Sequence, residues 1–337
     1  MIIKKKRIER WKKGRLGQRQ TELSEYMKEQ KQRLTYQQED WSRYNQNQVK
    51  EKNRFLQLLN LLVDSINIPE KPYLFGRPSL MISDMVKCCA IKVYANLPVR
   101  RVIPELEYAY SLEFISHVPH YNVISFYMRQ QWMTKLLEEL IEMSALPFSN
   151  TDTHFAVDST GFSNNIFKRW VDARNNKYGK GYEKRREFLR LHLACSTDSL
   201  IVPAVKITKG FSNDMPHFKT LINKISKNFQ IEETYSDKGY SSRKNHEIVA
   251  RKGGKAYIPF KSNATGKIRG SIEWKEAFNF WKSNPEEFNK KYHKRSLVES
   301  LFSSVKRTKL NYIRSRGLVS GRNEILLKVL CHNLVIL

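Results

Sequence analysis

The sequence predicts an α/β fold, a mixed five-stranded sheet with flanking helices, preceded by an all-α N-terminal region. Three observations predict it. Between residues 55 and 146 apolar side chains recur at helical spacing. Near Pro147 the pattern changes to short, β-rich runs. From there strands and helices follow in the order β-β-β-α-β-α-β-α, and three opening strands followed by alternation imply a sheet of mixed direction with helices on its faces.

Taken in order, residues 1–54 hold 16 Lys or Arg, 7 Asp or Glu and a Gln-rich middle. They read as a partly helical arm along a phosphate backbone or as a solvated, mobile terminus. FLQLLNLLVDSI (55–66) is a helix, and GRPSLMISDMVKCCAIKVYANL (76–97) opens on a Gly-Arg-Pro turn with Ser83 and Asp84 as caps for 85–94. A further helix follows Pro104, and one long helix is expected within 118–146. Short helices with Arg100, Arg101 and Arg129 suit a helix-turn-helix DNA-binding module, and a plain helical packing domain fits as well.

THFAVDST (153–160) is a strand ending at Asp158. FLRLHLACSTD (188–198), which alternates Leu189, Leu191 and Leu193 with polar neighbours, and LIVPAVKIT (200–208) form a hairpin. A helix over 214–227 begins at Asp214, which reads as its cap or, alternatively, as a group supporting the metal ligands from behind. A short strand precedes Asp237, a helix covers 241–253, a strand 255–261, and 271–309 is mostly helical.

The chain carries 60 Lys and Arg against 33 Asp and Glu, a formal net charge of +27, and the natural partner of such a field is a polyanion. No apolar run reaches membrane-spanning length, so no membrane partner is expected. The opening MIIKKKRIERWKKGR has the charge of a leader without the apolar stretch after it, and it reads as a basic tail. Cys88, Cys89, Cys195 and Cys331 form no C-x-x-C pair, which removes zinc-ribbon and disulfide-scaffold readings and leaves the thiols as core filler in a reducing compartment. The eight histidines lack metal spacing, and His192 and His332 read as core or hydrogen-bonded residues. Neither a G-x-S-x-G nucleophile motif nor a phosphate-binding G-x-x-x-x-G-K-[ST] is present.

Chemistry is expected at three carboxylates. If the first and fourth strands are neighbours, their ends bring Asp158 and Asp237 together, and a helix packed on the sheet supplies Glu299. Three carboxylates without Cys or His make an oxygen-only site suited to Mg²⁺ or Mn²⁺, and a pair of such ions serves phosphodiester chemistry. From Lys290 to Arg316 there are nine Lys or Arg and one acid, Glu299. At 100° per residue from Tyr292, Arg295, Glu299 and Lys306 fall within an arc of roughly 60°, opposite Leu297, Val298, Leu301, Phe302 and Val305. Glu299 reads either as a metal ligand ringed by phosphate-gripping cations or as the partner of Arg295 in a surface pair.

Tyr292-x-x-Arg295-x-x-x-Glu299-x-x-x-x-x-x-Lys306 resembles, at every spacing, the Tyr-Arg-Glu-Lys motif of bacterial and archaeal insertion-sequence DDE transposases. The resemblance extends to AVDSTGF around Asp158, TKGFSND (208–214), SDKGYSS around Asp237, YIPFKSNA (257–264) and NEILLKVLCHNL (323–334), and covers roughly residues 70–337. With 62 residues from Asp237 to Glu299, there is no room for the large inserted β-domain of some relatives. The resemblance implies an RNase H-like catalytic domain over 149–337 after a helical DNA-binding region (55–148), and composition places a basic, mobile or DNA-tracking arm (1–54) ahead of them. It implies Asp158, Asp237 and Glu299 as catalytic ligands of two Mg²⁺ or Mn²⁺ ions, and Tyr292, Arg295 and Lys306 as contacts to transposon-end DNA. The implied reaction is cleavage at the element's ends and joining of the freed 3′-OH to target DNA, with no covalent protein–DNA intermediate. The implied setting is a cytoplasmic, nucleoid-associated homodimer or larger synaptic complex on double-stranded DNA. The competing readings are a catalytically inactive or regulatory DNA-binding relative, an RNA-binding structural protein and a standalone nuclease of the same fold. The loop KRWVDARNNKYGKGYEKRREFLR (168–190) reads as a DNA grip or as a solvated basic hairpin.

Overall fold

A computed structural model of the 337-residue chain describes residues 41–42, 44–66, 68, 80–164, 188–210, 212–309 and 312–337. Most of the arm expected over 1–54, and residues 168–187 of the basic loop, lie outside the described residues. The chain forms two compact units, Met1–Arg54 and Phe55–Leu337. In the first, the described residues are helical, and Trp41 meets Tyr44 edge-on at 5.4 Å. No helix among the described residues is long and apolar enough to cross a membrane.

Among the described residues the second unit opens with five helices: α1 (55–64), α2 (Ile82–Tyr94), α3 (Ile103–Ser111), α4 (Tyr121–Tyr127) and α5 (Gln131–Ala145). Ser83 and Asp84 do not cap α2. Its N-cap is Met81, and Asp84 lies inside the first turn, accepting hydrogen bonds from the Ser116 N–H (2.8 Å) and Oγ (2.6 Å). The single long helix expected over 118–146 is two. At the break, the Met128 and Gln130 carbonyls both accept from Asn323 Nδ2 at 3.0 Å, so the chain can leave helical geometry without orphaning buried acceptors.

The sheet has the order β3-β2-β1-β4-β5, built from β1 (His154–Ser163), β2 (Phe188–Ser196), β3 (Ala204–Lys209), β4 (Glu233–Ser236) and β5 (Lys255–Tyr257). The first three pair antiparallel, whereas β4 runs parallel to both β1 and β5. This is the mixed sheet expected, with two of its strands shortened by proline. β3 starts after Pro203, and β5 stops before Pro259, because proline supplies no N–H to a ladder. Conversely, β1 outruns its expected end at Asp158, because β2 pairs with it all the way to Ser163.

Six further helices are found among the described residues: α6 (Met215–Ile225), α7 (Arg243–Ala250), α8 (Ile272–Ser283), α9 (Pro285–Tyr292), α10 (Ser296–Lys309) and α11 (Leu318–Ile336). Tyr292 and Lys306 do not share one helix. Tyr292 ends α9, and a 3₁₀ turn at His293–Arg295 separates it from α10.

Strand alternation sends side chains to two cores. Ala156, Phe162, Leu189, Leu191 and Leu193 face Val298, Leu301 and Val305 of α10, together with α11 and the N-terminal helices. Phe155, Val157 and Ala194 face Phe218, Leu221 and Ile222 of α6. A smaller cluster sets Tyr235 and Tyr257 against Phe288 of α9. The four cysteines are buried free thiols.

Helix α11 is buried on nearly every side and holds the layers together by polar bonds inside the core. Asn333 Nδ2 donates to the Val202 carbonyl and Ser144 Oγ (both 2.9 Å), and its Oδ1 accepts from the Val202 N–H at 3.0 Å. His332 Nε2 lies 3.0 Å from the Leu200 carbonyl. Removing one partner of such a set leaves the others desolvated and unpaired. Asn333→Ala is therefore expected to cost about 2–4 kcal/mol, read as a lower urea midpoint with an unchanged slope; a loss under about 0.5 kcal/mol would show that these bonds are not holding the layers.

Candidate active site

The site begins with a register. The parallel ladder between β1 and β4 ends at the pair Val157 and Ser236, so the next residues on the two strands are Asp158 and Asp237. Asp158 is consequently mid-strand with respect to β2, opposite Leu193, but sits at the strand end with respect to β4. The same alternation aims Asp158 toward α10. Asp237 is exposed and caps the short turn Lys238–Tyr240, accepting from the Lys238 N–H at 2.7 Å.

The turn between α9 and α10 brings the third carboxylate in. Arg295 donates from one guanidinium nitrogen to Asp158 Oδ2 at 2.9 Å and from the other to Glu299 Oε1 at 2.6 Å. Its charged end lies 5.7 Å from the Tyr292 ring centroid, and that ring stacks on Phe288 at 6.3 Å. Lys306 reaches β1 two residues past Asp158, donating to Thr160 Oγ1 at 2.6 Å, with the Phe162 ring 5.4 Å away. Asp158, Asp237, Glu299, Tyr292, Arg295 and Lys306 thus share one neighbourhood on one face of the sheet.

Burial, first, and the nearby Asp237 charge push the Asp158 carboxyl up to about 6, against the Ser159 N–H and Arg295, which hold it down. Burial also raises Tyr292 and lowers Lys306. The donor set, carboxylate oxygens only, fits a hard divalent cation by its chemistry. Among the described residues, however, no group of three or more His, Cys, Asp or Glu side chains is close enough to hold a metal ion. A guanidinium, Arg295, stands between Asp158 and Glu299, and the Glu299 side chain is 58% exposed.

Behind this face lies a polar cluster around Asp214 and His192 whose pairing with Ser159 and Arg190 was not foreseen from the sequence. Ser159, adjacent to Asp158, points to the opposite side and donates to Asp214 Oδ1 at 2.8 Å. Arg190 donates to Ser159 Oγ (3.0 Å), the Ser212 carbonyl (2.7 Å) and Asp214 Oδ2 (2.6 Å). His192, fully buried, has Nδ1 3.3 Å from Asp214 and Nε2 2.9 Å from Thr208 Oγ1. Asp214 does occupy the N-cap position of α6, but its side chain makes no capping bond because these partners take it. Burial works to raise its pKa, and His192, Ser159 and Arg190 together hold it below the ordinary value. The available signal was in β2: a strand lying between two others and covered on both faces cannot leave Arg190 and His192 in water, so each needs a partner.

A mixed five-stranded sheet of this order, with its carboxylates at the ends of parallel neighbours and helices on both faces, has the RNase H-like architecture. The Transposase DDE domain family model matches residues 149–334, more than half of the chain, and the chain belongs to that family. No curated protein and no solved structure matches it.

Because Asp158 keeps its proton up to about pH 6 when folded, against an ordinary value of 3.8, its contribution to stability is fully present below 3.8 and is lost as pH rises through about 6. In chelator, the stability of wild type relative to Asp158→Asn is expected to fall by about 3 kcal/mol between pH 3.5 and pH 7. Parallel pH profiles for the two proteins in urea denaturation would rule this out.

Proposed function

We propose that this transposase is of the Tyr-Arg-Glu-Lys type. It binds the terminal repeats of an insertion sequence, cleaves the DNA at its ends and joins the 3′-OH to target DNA. Asp158, Asp237 and Glu299 are the catalytic carboxylates, the residues that would hold two Mg²⁺ or Mn²⁺ ions. The observation that carries this reading is that Asp158 and Asp237 follow the last ladder pair of two neighbouring parallel strands, while Arg295 bridges Asp158 to Glu299 of α10.

Bound divalent ions would supply Lewis-acid activation of the attacking oxygen and charge stabilisation at the leaving one. The chain's own residues do the rest. Arg295, held beside Asp158, is placed to exchange its carboxylate partners for a phosphate, which its planar fork grips through two parallel bonds. Lys306, whose stem is largely buried, offers a fixed positive charge along the strand from Asp158. Tyr292 presents a ring already fixed by Phe288 against which an end base can stack. The two-fold task of cutting both ends of one element is met by a homodimer or larger synaptic complex on double-stranded DNA, and the net charge of +27 draws the polyanion in.

The test is purified protein with Mg²⁺ or Mn²⁺ and linear DNA ending in the element's flanking repeats, scored for end nicking and for joining to a plasmid. Asp158→Ala, Asp237→Ala and Glu299→Ala are each expected to lower the cleavage rate by at least about 10³-fold, since electrostatic stabilisation at such sites is worth several kcal/mol. Binding without cleavage by the wild type would identify an inactive or regulatory relative. Cleavage without joining would identify a nuclease, and activity surviving Glu299→Ala would move the third ligand elsewhere.

A further inference from the structure

A groove of about 1000 Å³ lies away from the carboxylates, beyond the far end of β1. One wall comes from the N-terminal helices, through Val99, Ser125, Met128 and Arg129, and the other from residues 312–317. Its described lining contains Lys92, Arg129, Arg314 and Arg316 and no acidic side chain. The three arginines are exposed.

The arginine-bearing wall is held by a buried ionic cluster. Glu324 and Lys328, each 2% exposed, and Lys92, 5% exposed, form the pairs Lys328–Glu324 at 3.6 Å and Lys92–Glu324 at 3.8 Å. Glu324 turns its two oxygens to the backbone of the segment, accepting from the Arg314 N–H at 3.0 Å and the Ser315 N–H at 2.8 Å. Lys328 donates to the Tyr312 carbonyl at 2.7 Å, and the Ile313 N–H donates to the Ser163 carbonyl at 2.7 Å. Burying three charges is costly, and here their bonds go to fixing one surface segment with Arg314 and Arg316 outward. Pre-organised cations facing a third across a groove whose described lining holds no acid suit a chain of phosphates.

We propose that this groove is a second, sequence-independent binding site for the phosphate backbone of duplex DNA, held by Arg129, Arg314 and Arg316. It rests on the proposed DNA-processing function for the identity of the polyanion. Asn164, at the groove, lies six residue steps beyond Asp158, roughly 20 Å along the strand direction, which spans about six base pairs of duplex at 3.4 Å each. Lys306, at Thr160, lies between the two. The groove therefore holds the flank of a duplex whose end lies at the carboxylates, and its contribution is to affinity and register.

The experiment is fluorescence anisotropy of the full chain with a 30-base-pair duplex of unrelated sequence, in EDTA, across 50–300 mM salt. The triple variant Arg129→Ala, Arg314→Ala and Arg316→Ala is expected to lower the slope of log affinity against log salt by about 2 to 3, roughly 0.9 per lost phosphate contact. The same three positions changed to Lys are expected to keep the wild-type slope, since a charge, not a shape, makes each contact. Equal slopes for wild type and the alanine variant would overturn the proposal, as would wild-type protein that binds no duplex or that prefers a single-stranded RNA of equal length. Loss of slope in the alanine variant, with no cleavage by wild type in Mg²⁺, supports the groove and counts only against the catalytic reading.

Discussion

The site depends on one register, the parallel pairing of β1 with β4. It stops at Val157 and Ser236, so the two aspartates that follow have no ladder partner between them and stand side by side. The same strand then sorts neighbours by parity. Asp158 goes to the face of α10, where Arg295 meets it, and Ser159 goes to the face of α6, where Asp214 and Arg190 meet it. A slip of one residue would exchange these environments, placing a lone carboxylate among Asp214 and its partners. The antiparallel bonding to β2, continuous from Phe155 to Ser163, is what forbids the slip.

Magnitudes decide how the front face is held. The Arg295–Glu299 contact is an i, i+4 pair whose carboxylate is mostly in water, worth a few tenths of a kcal/mol. The Arg295–Asp158 contact is between side chains only 19% and 18% exposed, where the lower local dielectric strengthens the attraction. Arg295 is thus principally the counter-charge of Asp158, and Glu299 is the loosely held member. On the back face Asp214 accepts from both Ser159 and Arg190, with His192 Nδ1 3.3 Å away, so it is held by several partners at once. A rigid back and a labile front on adjacent residues of one strand give the carboxylate end of β1 a fixed position and an exchangeable partner.

Much of the fold was legible because its signals are local. The β2–β3 hairpin, the alternation after Pro147 and the apolar stripe of Val298, Leu301 and Val305 all follow from period and turn chemistry. What was not legible depended on long-range partners. The break in the 118–146 helix is held by Asn323, nearly two hundred residues away in the chain. Asp84 and Asp214 both sit where local rules place caps, and both are taken by distant groups, Ser116 in one case and Arg190 with Ser159 in the other. The 3₁₀ turn before α10 likewise escaped a helical wheel, which assumes continuity. It nevertheless leaves Arg295 and Glu299 close enough to touch.

Helix α11 also bears on how the molecule comes to exist. It follows β2, α2 and α5 in chain order, yet it contacts all three from inside the core, and its asparagines satisfy the Met128, Gln130 and Val202 carbonyls. Elements made earlier on the ribosome therefore wait with apolar faces and unpaired backbone groups exposed until residues 318–336 emerge. Closing those contacts joins segments separated by most of the chain, a topology that folds slowly and late. A protein built this way closes its core only after its own message has been read nearly to the end of this helix.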